Sequence, residues 1–132
     1  MGPILITIFI AVALCGAPVP SSPEGYLYNR VTDSKARLDI YEDVLCSDCK
    51  ADHPTLMEWL ESTGSDGTKI SENVEVYFHF FPLPYHHHAF IATNALSLAW
   101  ENTKDIKTVL NVADYFFDNI NTYQGSGAKE LT

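Results

Sequence analysis

Leu38-Asp39-Ile40-Tyr41-Glu42-Asp43-Val44-Leu45-Cys46-Ser47-Asp48-Cys49-Lys50 is the stretch on which the fold of this chain turns. Leu38 and Ile40 alternate with Asp39 and Tyr41, the period-two pattern of a half-buried strand, so a strand is expected over about residues 37–42. Val44 and Leu45 then lead into two cysteines separated by two residues. From Ser47 the period changes, with Leu56, Met57, Trp59 and Leu60 at helical spacings. A C-x-x-C pair between a strand and a helix fits a thiol–disulfide redox centre, because the attacking species is a thiolate and a helix start favours negative charge.

The rest of the chain extends this pattern. Pro54 falls inside the helix and is expected to kink it, since proline removes a donor and crowds the preceding turn. Gly64 and Gly67 among Ser, Thr and Asp place a polar loop over Glu61 to Asn73. Val74, Val76, Phe78 and Phe80 alternate with Glu75, Tyr77 and His79, a strong strand that Pro82 and Pro84 end. A helix is expected from His86 to Glu101, with Ala89, Ala92, Leu96 and Ala99 on one face. Another is expected over residues 105–120, through Ile106, Val109, Leu110, Ala113, Phe117 and Ile120. Upstream, Tyr26 to Val31 alternate loosely, as a short edge strand would. Trp59, Trp100, Phe116 and Phe117 read as core rather than as a ligand platform. A strand–helix–strand unit of this length joins two parallel strands by a right-handed crossover, so the fold class is α/β with one domain over residues 36–132.

Composition narrows the function. At 132 residues, 46% hydrophobic and 19% charged, the chain holds enough apolar surface for one modest core. Its net charge of −9, from 8 basic and 17 acidic residues, argues against nucleic acid and anionic lipid as partners. Residues 1–17 read as a secretory signal peptide: Ile4 to Leu14 are almost wholly apolar, and small residues follow. That run is shorter than the roughly 20 apolar residues a membrane span needs, so no stable insertion is expected after cleavage. Residues 18–35 form a leader that ends in the edge strand. Removing the signal takes Cys15 with it and leaves Cys46 and Cys49 as an even pair in an oxidising compartment, secreted or lumenal, endoplasmic reticulum or periplasm.

Geometry assigns roles to the pair. Cys46, at the helix N-terminus, is the nucleophile; Cys49, one turn later, is the resolving thiol. The chemistry needs no cofactor. Structural zinc also uses C-x-x-C but wants a second ligand pair, for which His79, His86, His87 and His88 are the candidates. Three successive histidines on a helix point about 100° apart and cannot share one ion, so no metal is expected. The histidine triplet reads instead as a solvated helix start. A plain structural disulfide is the remaining alternative, although so short a loop adds little chain-entropy stabilisation.

The segment Leu38 to Lys50, with Pro54 five residues beyond the second cysteine, resembles the active-site region of the thioredoxin superfamily. Phe80-Phe81-Pro82-Leu83-Pro84, the histidines and the alanine-rich helix resemble its DsbA-like branch, as does Asp43 three residues before Cys46. The resemblance spans about Leu38 to Ile120. It implies that Cys46 and Cys49 form a redox-active disulfide and that protein thiols and disulfides are the substrates. It further implies that an acid in the first strand, for which Asp39 is a candidate, relays protons to Cys49. A solvent-facing Asp39 is an equal alternative.

Two departures set expectations. Ser47-Asp48 stands where many DsbA-like proteins carry Pro and His. Asp48, helped by Glu42, Asp43 and Asp52 and partly offset by Lys50 and His53, should make Cys46 less acidic and the disulfide less oxidising than in those proteins. No proline follows Pro84 and nothing after Ile120 reads as a strand, so the fold is expected to be partial, lacking the cis-proline loop and last strands. An unpaired strand edge would then favour self-association. The expected function is thiol–disulfide exchange; the alternative is a non-catalytic thioredoxin-like interaction module with a vestigial or structural disulfide.

Overall fold

The computed structural model describes residues 25–34 and 36–124. The segment expected to be a signal peptide, residues 1–17, part of the expected leader (18–24 and 35) and the polar residues after Gln124 lie outside the described residues. Strand β1 (Tyr26–Asn29) and strand β2 (Ala36–Glu42) precede helix α1 (Ser47–Glu61), followed by strand β3 (Val74–Phe80). Helices α2 (Ala89–Thr103), α3 (Ile106–Asp118) and α4 (Ile120–Tyr123) complete a mixed α/β arrangement. The sheet order is β1-β3-β2, with β2 parallel and β1 antiparallel to β3. Among the described residues, β2 therefore pairs on one side only.

Alternation sorts the side chains of the sheet. Leu38 and Ile40 of β2, Val76, Phe78 and Phe80 of β3, and Tyr26 and Tyr28 of β1 gather with Leu56, Met57 and Leu60 of α1 and with Leu110 of α3. A second cluster joins Val44 and Leu45 of the motif loop to Ala89, Ala92 and Leu96 of α2 and to Val109, Ala113, Phe116 and Phe117 of α3. The motif thus stands where the sheet meets the helices. The opposite sheet face carries Arg37, Asp39 and Tyr41 beside Tyr77 and His79. There Tyr41 stacks on His79 with ring centroids 4.4 Å apart, and the Arg37 guanidinium lies 3.9 Å over the Tyr77 ring. None of these five belongs to either core cluster.

Several expectations shift. The edge strand stops at Asn29, whose side chain turns inward, accepting from the Val76 N–H and donating to the Ser71 and Val74 carbonyls. Part of the expected polar loop is a 3-10 turn (Ile70–Glu72), and Gly67 takes the positive φ of 83° that the bend requires. Helix α1 runs from Ser47 to Glu61 with Pro54 inside it, as the sequence places it, and that proline is exposed on the helix surface. Helix α2 begins at Ala89 rather than His86, because His86 and His88 bond elsewhere. Asp105 caps α3, accepting from the Lys107 and Thr108 N–H groups at 3.2 and 3.1 Å. Trp59 is not core: it lies 46% exposed, whereas Phe116 and Phe117 are buried and Trp100 is half-buried against Tyr26.

Candidate functional site

The strand–loop–helix passage places both cysteines at one end of α1. Val44 and Leu45 are fully buried and anchor the loop, and the Cys46 N–H donates to the Asp43 carbonyl at 2.9 Å to close the turn. Cys46 is the N-cap residue of α1, with extended backbone at φ −93° and ψ 126°. Its carbonyl accepts from the Lys50 N–H at 2.9 Å, the first bond of the helix. Both thiols are free and partly accessible. The Cys46 side chain makes no cap hydrogen bond, and the residue stands at the N-terminus of α1, where unpaired N–H groups and the helix dipole favour negative charge.

Cys49 is different. Burial pushes its thiol up to about 11, a hydrogen bond to Cys46 and the negative charges of Cys46 and Glu42 add to this, and a backbone hydrogen bond from Asp43 works against it. The inner sulfur is thus kept protonated and oriented on the outer one. That is the order a two-step exchange requires, with one sulfur to attack and a second held back as a thiol.

Three carboxylates in and directly after β2 each meet a different histidine. Asp39, on the open face, lies 2.7 Å from His79 Nε2 and accepts from the Arg37 guanidinium at 2.7 Å, contacts that hold its carboxyl below the usual range, Arg37 foremost. This corrects the relay expectation: Asp39 faces away from the motif, and the carboxylate whose charge reaches Cys49 is Glu42. Glu42 lies on the inner face, buried, with both oxygens 2.9 Å from His53 Nδ1. Asp43 is also buried. One of its oxygens accepts from the Leu45 N–H at 2.8 Å; the other accepts from the Leu83 N–H and meets His86 Nδ1, both at 2.8 Å. It ties the motif loop to the segment after β3.

The other anticipated modulators stay at the surface. Asp48 is exposed in the first turn of α1, Lys50 is half-buried and Pro54 is exposed. The histidine triplet is not a solvated helix start. His88 is buried with Nδ1 2.9 Å from the Tyr123 carbonyl, His86 holds Asp43, and His87 alone is exposed. Among the described residues no group of three His, Cys, Asp or Glu side chains is arranged to hold a metal ion. Gln124 closes the site from the far end of the helical layer, donating from Nε2 to the Leu45 carbonyl.

Glu42 and His53 as a pair escaped the sequence reading, although each was named. The signal was there: Cys49, His53, Leu56 and Leu60 recur at helical spacing on one face of α1, and strand alternation sends Glu42 inward with Leu38 and Ile40. No protein-family model matches the chain, and neither a curated protein nor a solved structure does.

Proposed function

We propose that this chain is a thiol–disulfide oxidoreductase of the DsbA-like thioredoxin type, acting in a secretory or other extracytoplasmic compartment through Cys46 and Cys49. The observation that carries the reading is the asymmetry of the pair: Cys46 is the N-cap of α1 with no cap hydrogen bond from its side chain, while Cys49, hydrogen-bonded to it, is more buried and its thiol is raised to about 11. A parallel β2–β3 pair flanked by antiparallel β1, with the cysteines directly after β2, is in keeping with a partial thioredoxin-like sheet. Cys46 attacks a substrate disulfide and forms a mixed disulfide. Cys49 then attacks the Cys46 sulfur, a Cys46–Cys49 bond forms, and the second substrate sulfur leaves as a thiolate; run in reverse, the same steps oxidise a dithiol. Protein thiols and disulfides are the substrates, and the reaction needs no cofactor. Insulin reduction or refolding of a scrambled disulfide protein tests this, with Cys46→Ser as control. Turnover well above that control is expected, and turnover equal to it refutes the enzyme.

A second reading has one observation in its favour. The outer edge of β2 is unpaired among the described residues, and the sheet face beside it carries Tyr41 and Arg37 largely exposed. Such an edge adds a strand from another chain, a second copy included, and the module would then act by association rather than by exchange. Sedimentation of Cys46→Ser alongside the parent chain separates the two, since association through β2 survives loss of the thiol.

A further inference from the structure

Where β1 begins and β2 and β3 end, a cleft of about 530 Å³ opens between the sheet and α2. Its volume lies within the roughly 300–1,000 Å³ that small-molecule sites span. Neither the cysteines nor any residue of α1 lines it, and the exchange steps leave it without a task. Tyr26 contributes to its wall from β1, Tyr41 from β2, Phe81 from the segment after β3 and Trp100 from α2. Neighbouring rings hold these in place. Tyr26 lies 5.9 Å from Phe80 and 5.5 Å from Trp100 between centroids, and Tyr41 is stacked on His79. Tyr41 and Phe81 still stand 57% and 58% exposed, so ring surface on both is uncovered.

The polar groups of the cleft are not all spoken for. Ser97 Oγ of α2 and the Tyr26 hydroxyl bond to each other at 3.1 Å. Thr93, one turn earlier on α2, lines the same cleft, and its hydroxyl oxygen is buried with no hydrogen-bond partner among the described residues. Such a group is uncommon and costly. Threonine in a helix has two accessible rotamers, so this hydroxyl is able to turn to an acceptor seated in the cleft. Charge narrows the occupant further. No aspartate, glutamate, lysine or arginine lines the cleft, and its one imidazole, His79, meets Asp39 at 2.7 Å. An ion of either sign would leave water there without a counter-charge, whereas a neutral ring system would not.

We propose that this cleft binds a small uncharged planar aromatic compound with a hydrogen-bond acceptor, its rings against Tyr41, Phe81 and Trp100 and its acceptor bonded to the Thr93 hydroxyl. The site needs neither cysteine and stands apart from the exchange reading. An apolar side chain from another polypeptide would fill the same volume and leave Thr93 unpartnered, which favours the small molecule.

The neutral naphthyl ketone prodan, whose emission moves to shorter wavelength out of water, serves as the probe. Titrated into the full-length chain, it should bind saturably with one site per chain. Thr93→Val keeps the shape and removes the hydroxyl, and should weaken binding about fivefold, the effect of one neutral hydrogen bond. Phe81→Ala, at an exposed position that does not endanger the fold, should weaken it by a similar factor through loss of a ring contact. Phe90→Ala removes an exposed ring of α2 that does not line the cleft, and Cys46→Ser alters the motif; both should bind as the parent does. A parent chain without saturable binding overturns the inference. So does parent affinity in Thr93→Val, which would leave an apolar slot suited to a polypeptide side chain. Parent affinity in Phe81→Ala, or binding lost in Cys46→Ser, would put the probe elsewhere and overturn it equally.

Discussion

The two faces of the sheet are made from alternate residues of the same strands, and they are put to opposite uses. On the inner face Leu38, Ile40, Val76 and Phe78 lie against α1 and α3, and the row ends in Glu42, buried against His53. On the outer face Arg37, Asp39, Tyr41, Tyr77 and His79 bond and stack among themselves with no helix of the described residues clustered on them. Both faces pair a carboxylate with a histidine, yet only the inner pair shares its surroundings with a cysteine. The difference shows what makes an acid relevant to the thiols here. Parity along β2 decides it, not nearness in sequence, and the turn at Asp43 converts that parity into contact with α1.

The sharpest way to break this comparison is to cut one aromatic ring from each face of β3. Phe78 is fully buried, so Phe78→Ala should cost about 3–5 kcal/mol, the sum of lost transfer energy and a residual cavity. Tyr77 contributes chiefly its contact with Arg37, and Tyr77→Ala should cost about 1 kcal/mol. Urea unfolding of the two variants reads the ratio. Equal losses would mean that the outer face is covered too.

The two acid–histidine pairs give the next largest contrast. Glu42→Ala strands His53 in the core without its carboxylate, an expected loss of about 3 kcal/mol. Arg37→Ala removes the partly exposed ion pair to Asp39 and leaves the buried His79 its carboxylate partner. Its effect should be smaller and should fade as salt is raised, because water and ions screen charges at that depth. A salt-insensitive loss at Arg37 as large as that at Glu42 would reverse the assignment of the two faces.

Much of this was legible from local pattern. The alternation of Val74 to Phe80 marks β3 over the same residues that form it, and Asp105 announces the start of α3 because its carboxylate reaches N–H groups two and three residues on. Both are local effects. The start of α2 was not legible, since His86 and His88 leave the helix for Asp43 and for the Tyr123 carbonyl, partners 43 and 35 residues away. Trp59 was misread for a subtler reason: next to Leu60 in sequence, it is turned by about 100° from the face that Leu56 and Leu60 bury. In the site, Cys46 and Cys49 could be read from spacing and the helix start. The Glu42–His53 contact needed strand parity and helical periodicity to be combined across the motif, and the seat of Gln124 on Leu45 carries no local signal at all.

The thiols supply a contrast in pH. Because burial foremost, and then Cys46 and Glu42, raise Cys49 from 9.0 to about 11, iodoacetamide at pH 8 should modify Cys46 well before Cys49. The raised value also makes a stability statement. The fold favours the neutral thiol, so this contribution is complete below pH 9.0 and is lost as pH rises through about 11. Tyrosines titrate in the same window, so the informative quantity is the difference between reduced and oxidised protein, which share every tyrosine. The reduced form should lose denaturant resistance relative to the oxidised form between those limits. Parallel curves would place Cys49 in water rather than behind Cys46.

The smallest expected effect tests the outer side of α1, the helix that covers the inner sheet face. Trp59 is 46% exposed there, and Trp100 lies half-buried with its ring edge toward Tyr26 at 5.5 Å between centroids. Trp59→Phe should change stability by no more than about 0.5 kcal/mol, as for a surface substitution that breaks no buried contact. It also leaves Trp100 as the sole tryptophan of a chain that has two, so the emission that remains comes from the less solvated ring. The maximum should therefore move to shorter wavelength. A move to longer wavelength would put Trp59 inside and Trp100 outside, and α1 would then cover the sheet with the face here assigned to solvent, which would carry Cys49 and His53 away from Glu42.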